Sequence, residues 1–190
     1  MKNSIHLISV FLFMVLHFAP KSIVAQDYLG REGYVEFNSR APLLEFKGTS
    51  NHLNGLINPD DNLVDFYVDL NTLDTGIELR NRHMRESYLN TDRCPFAEFT
   101  GDLVSDFDPT LMEAQDAVAE GTFTVNCREN EVRVSGSLHP TEDGIMLEAG
   151  FEIVLKDYDI KRPGIVFYEL AEEQVVNLSI LLKKEAPIQP

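Results

Sequence analysis

The stretch Val64–Phe99, VDFYVDLNTLDTGIELRNRHMRESYLNTDRCPFAEF, decides the fold of this 190-residue chain. Val64, Phe66, Val68 and Leu70 alternate with Asp65, Tyr67 and Asp69. Successive side chains of a strand point to opposite faces, so the segment has one apolar face and one face with two acids. Asn71–Gly76 is rich in turn formers. Thr75 and Glu78 have the spacing of a capping box, in which each side chain satisfies a backbone N–H of the other residue. Glu78–Leu89 then reads as one short helix with Leu79, Met84 and Tyr88 toward its inner face. Pro95 blocks continuation, and Phe96–Phe99 opens a new strand. A strand, a capped helix across its end and a return strand make a corner that can close one end of a barrel.

Strand patterns flank this corner on both sides. Upstream, Gln26–Glu32 reads as an unpaired lead-in and Gly33–Asn38 as a strand. Pro42 separates it from a strand over Leu43–Thr49, which continues through Asn51–Asn58 after a bend at Gly48, because a Gly inside a strand marks a bulge or sharp curvature. Asn58-Pro59-Asp60-Asp61 is a turn. Downstream, Gly101–Val104 leads into a polar loop, Ser105–Gln115. Ala117, Ala119, Gly121, Phe123 and Val125 then share one face, and Val132, Val134, Gly136 and Leu138 share the next. After a turn over Pro140–Gly144, apolar residues alternate from Ile145 to Leu155. The Lys156–Gly164 connection leads to a last strand carrying Val176, Leu178, Ile180 and Leu182, and Lys183–Pro190 reads as a frayed tail. About eight alternating strands joined mainly by short turns predict an all-β, antiparallel fold, either a closed barrel or a sandwich.

The net charge is −15. So negative a chain is a poor ligand for nucleic acid or for an anionic membrane surface. Residues 1–25 read as a signal peptide: Lys2 supplies positive charge, Ile8–Leu16 is a short apolar run, and Ala25 is a small residue before the cleavage point. The run is shorter than the ~20 apolar residues of a membrane span. The expectation is a periplasmic or secreted protein, processed to a single domain over 26–190. His52, His83 and His139 lie far apart without ligand spacing, and no CxxC is present, so neither a metal site nor a cofactor is expected. No G-x-S-x-G, H-E-x-x-H or P-loop pattern occurs, which argues against an enzyme and leaves no catalytic residue to name.

Between Val68 and Phe99 the chain resembles the YceI-like lipid- and polyisoprenoid-binding proteins. The residues that carry the resemblance are Val68-Asp69-Leu70, Asp74-Thr75-Gly76, Arg80-Asn81-Arg82-His83-Met84, Tyr88-Leu89 and Pro95–Phe99. Leu155–Pro163 is similar to the family's penultimate connection and Val175–Leu182 to its closing strand. Asn81 stands where the family often has Asp. Thr124-Val125-Asn126-Cys127-Arg128-Glu129 stands where a family strand commonly reads Thr-x-His-Gly-x-Thr. The resemblance implies an eight-stranded lipocalin-like barrel with a short helix at one corner, holding an isoprenoid lipid or a quinone.

A barrel of ~8 strands either fills itself with side chains or holds one small ligand. Small residues beside bulky ones suit both outcomes, a tapered core or an apolar slot. The slot candidates are Phe99 on the return strand, then Ala117, Ala119, Gly121 and Phe123. Leu138 follows, and then Leu147, Ala149 and Phe151. Burying a lipid tail contributes ~0.8 kcal/mol per CH₂ without any hydrogen bond, so such a slot selects length and girth. Arg80, Arg82, Arg85 and Arg93 crowd one segment of an acidic chain. They suit an anionic head group, or they pair with Asp69, Asp74, Glu78 and Glu86 or face solvent. Arg80 and His83 match family positions and are the head-group candidates. A structural or partner-binding barrel with a packed core is the alternative function, and a secreted hydrolase using Asp69, Asp74 or His83 is a third; a homodimer is among the expected partners.

The two cysteines beyond the leader, Cys94 and Cys127, are either bonded or two buried thiols. If Phe96–Val104 and Ala117–Asn126 pair as a hairpin, one register sets residues 94 and 127 opposite each other. Facing residues lie ~4.5–5.5 Å apart at Cα, within the span of a disulfide.

Overall fold

The computed structural model describes residues 26–41, 44–161, 164–165, 168–169 and 171–185. The leader reading of 1–25, residues 162–163 of the family-like connection and residues 186–190 of the tail lie outside them. Eight long strands close into an antiparallel barrel. They are β1 (Tyr28–Ala41), β2 (Leu44–Asn58), β3 (Leu63–Asp69), β4 (Phe96–Leu103), β5 (Gln115–Val125), β6 (Arg128–Thr141), β7 (Gly144–Val154) and β10 (Glu173–Lys184). β8 (Gly164–Ile165) and β9 (Tyr168–Glu169) form a small separate hairpin. Neighbours around the ring are consecutive in sequence except that β10 fills the gap between β7 and β1. Closure leaves the barrel itself without a free edge, which is how an all-β fold avoids edge-to-edge pairing.

Alternation sets the faces as expected. Val64, Phe66 and Val68 are buried while Leu63, Asp65 and Tyr67 are exposed. Two upstream expectations change. The lead-in is part of β1, with Tyr28 opposite Ile57 and Leu29 opposite Leu56. The register shifts between Gly30 and Val35, and Glu32 lies in the left-handed region at φ 59°. This bulge breaks the alternation, so a strand reads as a lead-in. Gly48 makes no bend either: β2 runs unbroken, and its glycines make room for aromatic rings. A Cβ at Gly48 would overlap the Phe37 ring, and one at Gly55 the Phe66 ring.

The corner forms, but not through a capping box. After a single 3₁₀ turn at Leu70–Thr72, α1 (Glu78–His83) starts at Ile77 without any side-chain cap. The start is held by Asn81, which is buried and reaches back along the chain. Its Oδ1 accepts the Thr75 amide at 2.8 Å and the Thr75 hydroxyl at 2.7 Å. Its Nδ2 donates to Asp74 Oδ1 at 2.7 Å, which also accepts the Gly76 amide at 2.8 Å. Glu78 takes no part in these bonds. The helix continues as a π-type turn over Met84–Leu89 and ends at Asn90, whose φ of 53° is the left-handed stop that Asn tolerates.

Cys94 and Cys127 are bonded, with Cα atoms 5.6 Å apart. The hairpin register does not bring them together. Glu98 faces Thr124 and Leu103 faces Ala119, one residue off the register that would set 94 opposite 127. Both cysteines lie beyond the ladder. Cys94 follows the helix, and Cys127 sits in the β5–β6 turn with Asn126, both at positive φ (51° and 58°). Two central residues with φ > 0 make the tight turn whose twist suits a two-residue hairpin. The same turn is stitched to the Leu155–Tyr158 3₁₀ turn: Asn126 Nδ2 donates to the Tyr158 carbonyl at 2.9 Å. Asn130 Nδ2 donates to the Asp157 carbonyl at 2.9 Å. Tyr158 is fully enclosed, with its ring edge-on to Phe123 at 5.6 Å, and burial pushes its phenol pKa up.

Candidate functional site

At the helix end the barrel is hollow. A cavity of about 590 Å³ runs inward from beneath α1 and the π turn. Its walls are built by the inward positions of several strands: Val35 on β1, Leu53 on β2, Phe66 and Val68 on β3, Ala97 and Phe99 on β4. Phe123 and Val125 on β5, Phe151 and Ile153 on β7, and Val176 and Leu178 on β10 complete them. The volume lies within the roughly 300–1,000 Å³ of small-molecule pockets. A second cavity of about 50 Å³ lies toward the other end of the barrel. Phe66, Phe99, Phe151 and Leu178 line both, so an aromatic layer divides the interior into a large upper and a small lower chamber. Phe123 packs edge-on to Phe151 at 5.1 Å and braces that layer.

The slot candidates separate on either side of this layer. Phe99, Phe123 and Phe151 line the large cavity. Ala117, Ala119, Leu138, Leu147 and Ala149 line only the small one. Gly121 lines neither. It sits directly opposite Gly101, and a Cβ on either would collide with the other strand's backbone, so the pair lets β4 and β5 approach closely there. Period-two alternation specifies the face a residue occupies. Depth along the barrel axis depends on the stagger of one strand against the next, which no single strand encodes.

Both head-group candidates, Arg80 and His83, line the large cavity from the helix. They share its rim with Lys161, while Arg82, Arg85 and Arg93 are absent from the lining. The rim is also apolar. Ile77 is 50% exposed and Leu79 52% exposed, yet both belong to the cavity lining. Leu79 is therefore a mouth residue rather than a core residue, whereas Met84 is buried as expected. Large apolar side chains left at the entrance of an apolar chamber mark a surface that meets a ligand or a lipid. The Asn81 amide, with the Gly76 N–H, holds the Asp74 carboxyl below its ordinary pKa and so keeps the helix start anchored beside the mouth.

Leu70 and Leu155, the last residues of two alternating apolar faces, also line the cavity, as do Leu73, Leu89 and Ile160, which were not foreseen. These last three belong to the connections at the helix end, where no alternation exists to reveal a face. Gln174 was missed as well. It is buried within the wall, and a polar residue at the start of a strand reads as solvent-facing. Among the described residues, no group of three His, Cys, Asp or Glu is placed to hold a metal ion. Among the same residues, no helix is long and apolar enough to cross a membrane.

The family model for the YceI-like domain matches residues 31–183, nearly the whole barrel. The chain belongs to the YceI-like family. Solved structures similar to this YceI-like barrel include a polyisoprenoid binding domain from Saccharophagus degradans implicated in plant cell wall breakdown. That match has a TM-score of 0.70 at 17% identity, covering 85% of this chain and 100% of that one. BcnA of Burkholderia cenocepacia matches at a TM-score of 0.62 and 11% identity, over 78% of this chain and 94% of that one. The YceI protein of Campylobacter jejuni matches at 0.57 and 14% identity, over 77% and 89%. No curated protein matches the chain in sequence.

Proposed function

We propose that this YceI-like barrel binds and carries a long-chain lipid, an isoprenoid or an isoprenoid quinone, with its tail in the large cavity and its polar end toward the helix. The observation that carries the reading is the 590 Å³ apolar chamber with a mouth of exposed Ile77 and Leu79. An apolar cavity without polar partners stays dry, and filling it with CH₂ groups contributes ~0.8 kcal/mol per group. The similarity to a polyisoprenoid binding domain supports the same ligand class. The reading is one of binding rather than catalysis, which the similarity to a polyisoprenoid binding domain supports. Residues 1–25 act as a signal peptide in this reading, and the protein works in the periplasm or outside the cell. A homodimer is compatible with it and not required by it.

Native mass spectrometry of protein purified without detergent, followed by organic extraction, tests the proposal. A prenyl lipid that co-purifies, or uptake of an added polyprenol or quinone, is expected. A ligand-free protein that takes up neither would return the barrel to the alternative of a partner-binding scaffold.

A further inference from the structure

Exposed apolar side chains gather around the opening of the large cavity. Tyr67, Ile77 and Leu79 are exposed and also line it. Phe96, exposed as well, packs edge-on to Tyr67 with ring centroids 5.8 Å apart. The charges beside them have one sign. Among the described residues Arg80, His83 and Lys161 belong to the lining and no Asp or Glu does, although the chain has 31 acids against 16 Lys and Arg. The two ends of the barrel differ in the same sense. At the helix end, the 70–95 corner has as many arginines as acids, and the 155–161 connection as many lysines as acids. At the opposite end, the connections over 59–62, 104–114 and 142–143 carry acids such as Asp61, Asp108 and Glu142 and not one Lys, Arg or His. That end also exposes Val104, Leu111 and Met112, but among carboxylates that an anionic surface repels.

Resting on the lipid-carrier reading, we infer that the helix end is a membrane-docking face. Ile77, Leu79, Tyr67 and Phe96 enter the headgroup region of an anionic bilayer, and the lipid passes directly between bilayer and cavity. Aromatic and aliphatic side chains at such a boundary bury apolar area without spanning the membrane. Arg82 and Arg93, both exposed and outside the lining, meet lipid phosphates, which suit the guanidinium fork. The net charge of −15 opposes binding by the whole surface. The uncompensated acids of the connections, however, lie a strand length from this face, and beyond ~8 Å charges are screened at physiological salt. The same asymmetry orients the barrel, mouth toward the bilayer and acidic end away. Direct passage matters because a long tail that crosses water exposes every CH₂ group on the way.

Flotation with vesicles of phosphatidylcholine and phosphatidylglycerol, and of phosphatidylcholine alone, tests the inference beside uptake of geranylgeraniol delivered from cyclodextrin. The protein is expected to float with the anionic vesicles and less with the neutral ones. Leu79→Ser lowers binding about tenfold, the loss of one large apolar side chain from the interface. Ile77→Ser does the same, and because Ser suits a helix N-cap better than Ile, that loss is not a loss of fold. Arg82→Gln lowers binding to the anionic vesicles about fivefold. Met112→Ser, at a residue 59% exposed on the opposite end, changes nothing. Binding lost in Met112→Ser and kept in Leu79→Ser overturns the inference. So does a protein that takes up geranylgeraniol but floats with neither vesicle, which leaves the carrier reading intact. A dimer in sedimentation that Leu79→Ser dissociates, without flotation, overturns it too and assigns the face to a second copy. Failure to take up geranylgeraniol from cyclodextrin and from vesicles overturns both.

Discussion

Asn81 Nδ2 donates to Asp74 Oδ1 at 2.7 Å, while Asn81 Oδ1 accepts both the amide and the hydroxyl of Thr75. An Asp at position 81 would keep the two bonds from Thr75, lose the donor to Asp74 and set two carboxylates together. The amide is thus the side chain that fits between an acceptor and two donors. Asn81→Asp is expected to cost ~1–3 kcal/mol, through one lost charge-assisted bond and a like-charge contact. Thr75→Ala removes one bond and is expected to cost less, ~1 kcal/mol. Urea unfolding of both variants checks the order. A larger loss in Thr75→Ala would show that the hydroxyl, not Asn81, holds the corner.

The aromatic layer sets how long a tail the chamber accepts. Phe151→Ala is expected to join the two chambers, lengthen the accepted chain and destabilise the barrel by ~3–5 kcal/mol. Native mass spectrometry against polyprenols of graded length reads the first effect. An unchanged length preference would mean that the tail ends above the layer.

Residues on the two sides of that layer are expected to respond oppositely to enlargement. Ala149→Phe overpacks the small chamber, costing ~1–3 kcal/mol, but leaves lipid uptake intact. Val125→Phe projects into the large cavity and abolishes uptake in a folded barrel. Loss of uptake in Ala149→Phe, with a melting curve showing it folded, would place the ligand in the lower chamber.

Glu36 supplies the clearest pH dependence. The Tyr34 hydroxyl donates to its carboxylate at 2.6 Å and the Asn38 amide at 2.9 Å, with Lys47 nearby, and together they lower its pKa to about 2 from the ordinary 4.5. A carboxyl whose pKa falls on folding stabilises the protein above its unfolded pKa. The contribution fades as pH drops through the interval from 4.5 to about 2. Glu36→Gln is therefore expected to be less stable than the native chain at neutral pH, with the gap closing across that interval. A gap that stays constant with pH would mean the carboxylate bonds contribute nothing.

The Cys94–Cys127 bond joins the segment after the helix to the β5–β6 turn, 33 positions apart in sequence. In the chain-entropy model, closing such a loop contributes about 3–4 kcal/mol. Reduction is expected to lower the urea midpoint accordingly, and thiol counting on unreduced, unfolded protein should find none free. Two free thiols per chain would show the bond absent.

The amino-acid sequence by itself determined the class of fold and the faces of its strands. Alternation is a property of each strand alone, so Val64-Phe66-Val68 or Ala117-Ala119 reads as inward before any partner is known. Turn chemistry placed several connections in the same way, as with Asn58, whose Oδ1 accepts the amides of Asp60 and Asp61 at 3.0 Å each. The left-handed Asn126-Cys127 turn lacked the Gly that signals it. The bulge around Glu32 broke the local pattern and hid the first third of β1.

What only the tertiary structure decided was depth. Whether an inward residue lies in the large chamber, like Phe123, or below the aromatic layer, like Ala119, depends on the stagger that closure imposes on all eight strands together. The same holds for Gln174 and Ser39, which face each other only because the last strand pairs with the first. The corner repeats the lesson at short range. Thr75 and Glu78 have the spacing of a reciprocal cap. The position of Asn81, buried and able to satisfy Asp74 and Thr75 at once, drew the hydrogen bonds to itself instead.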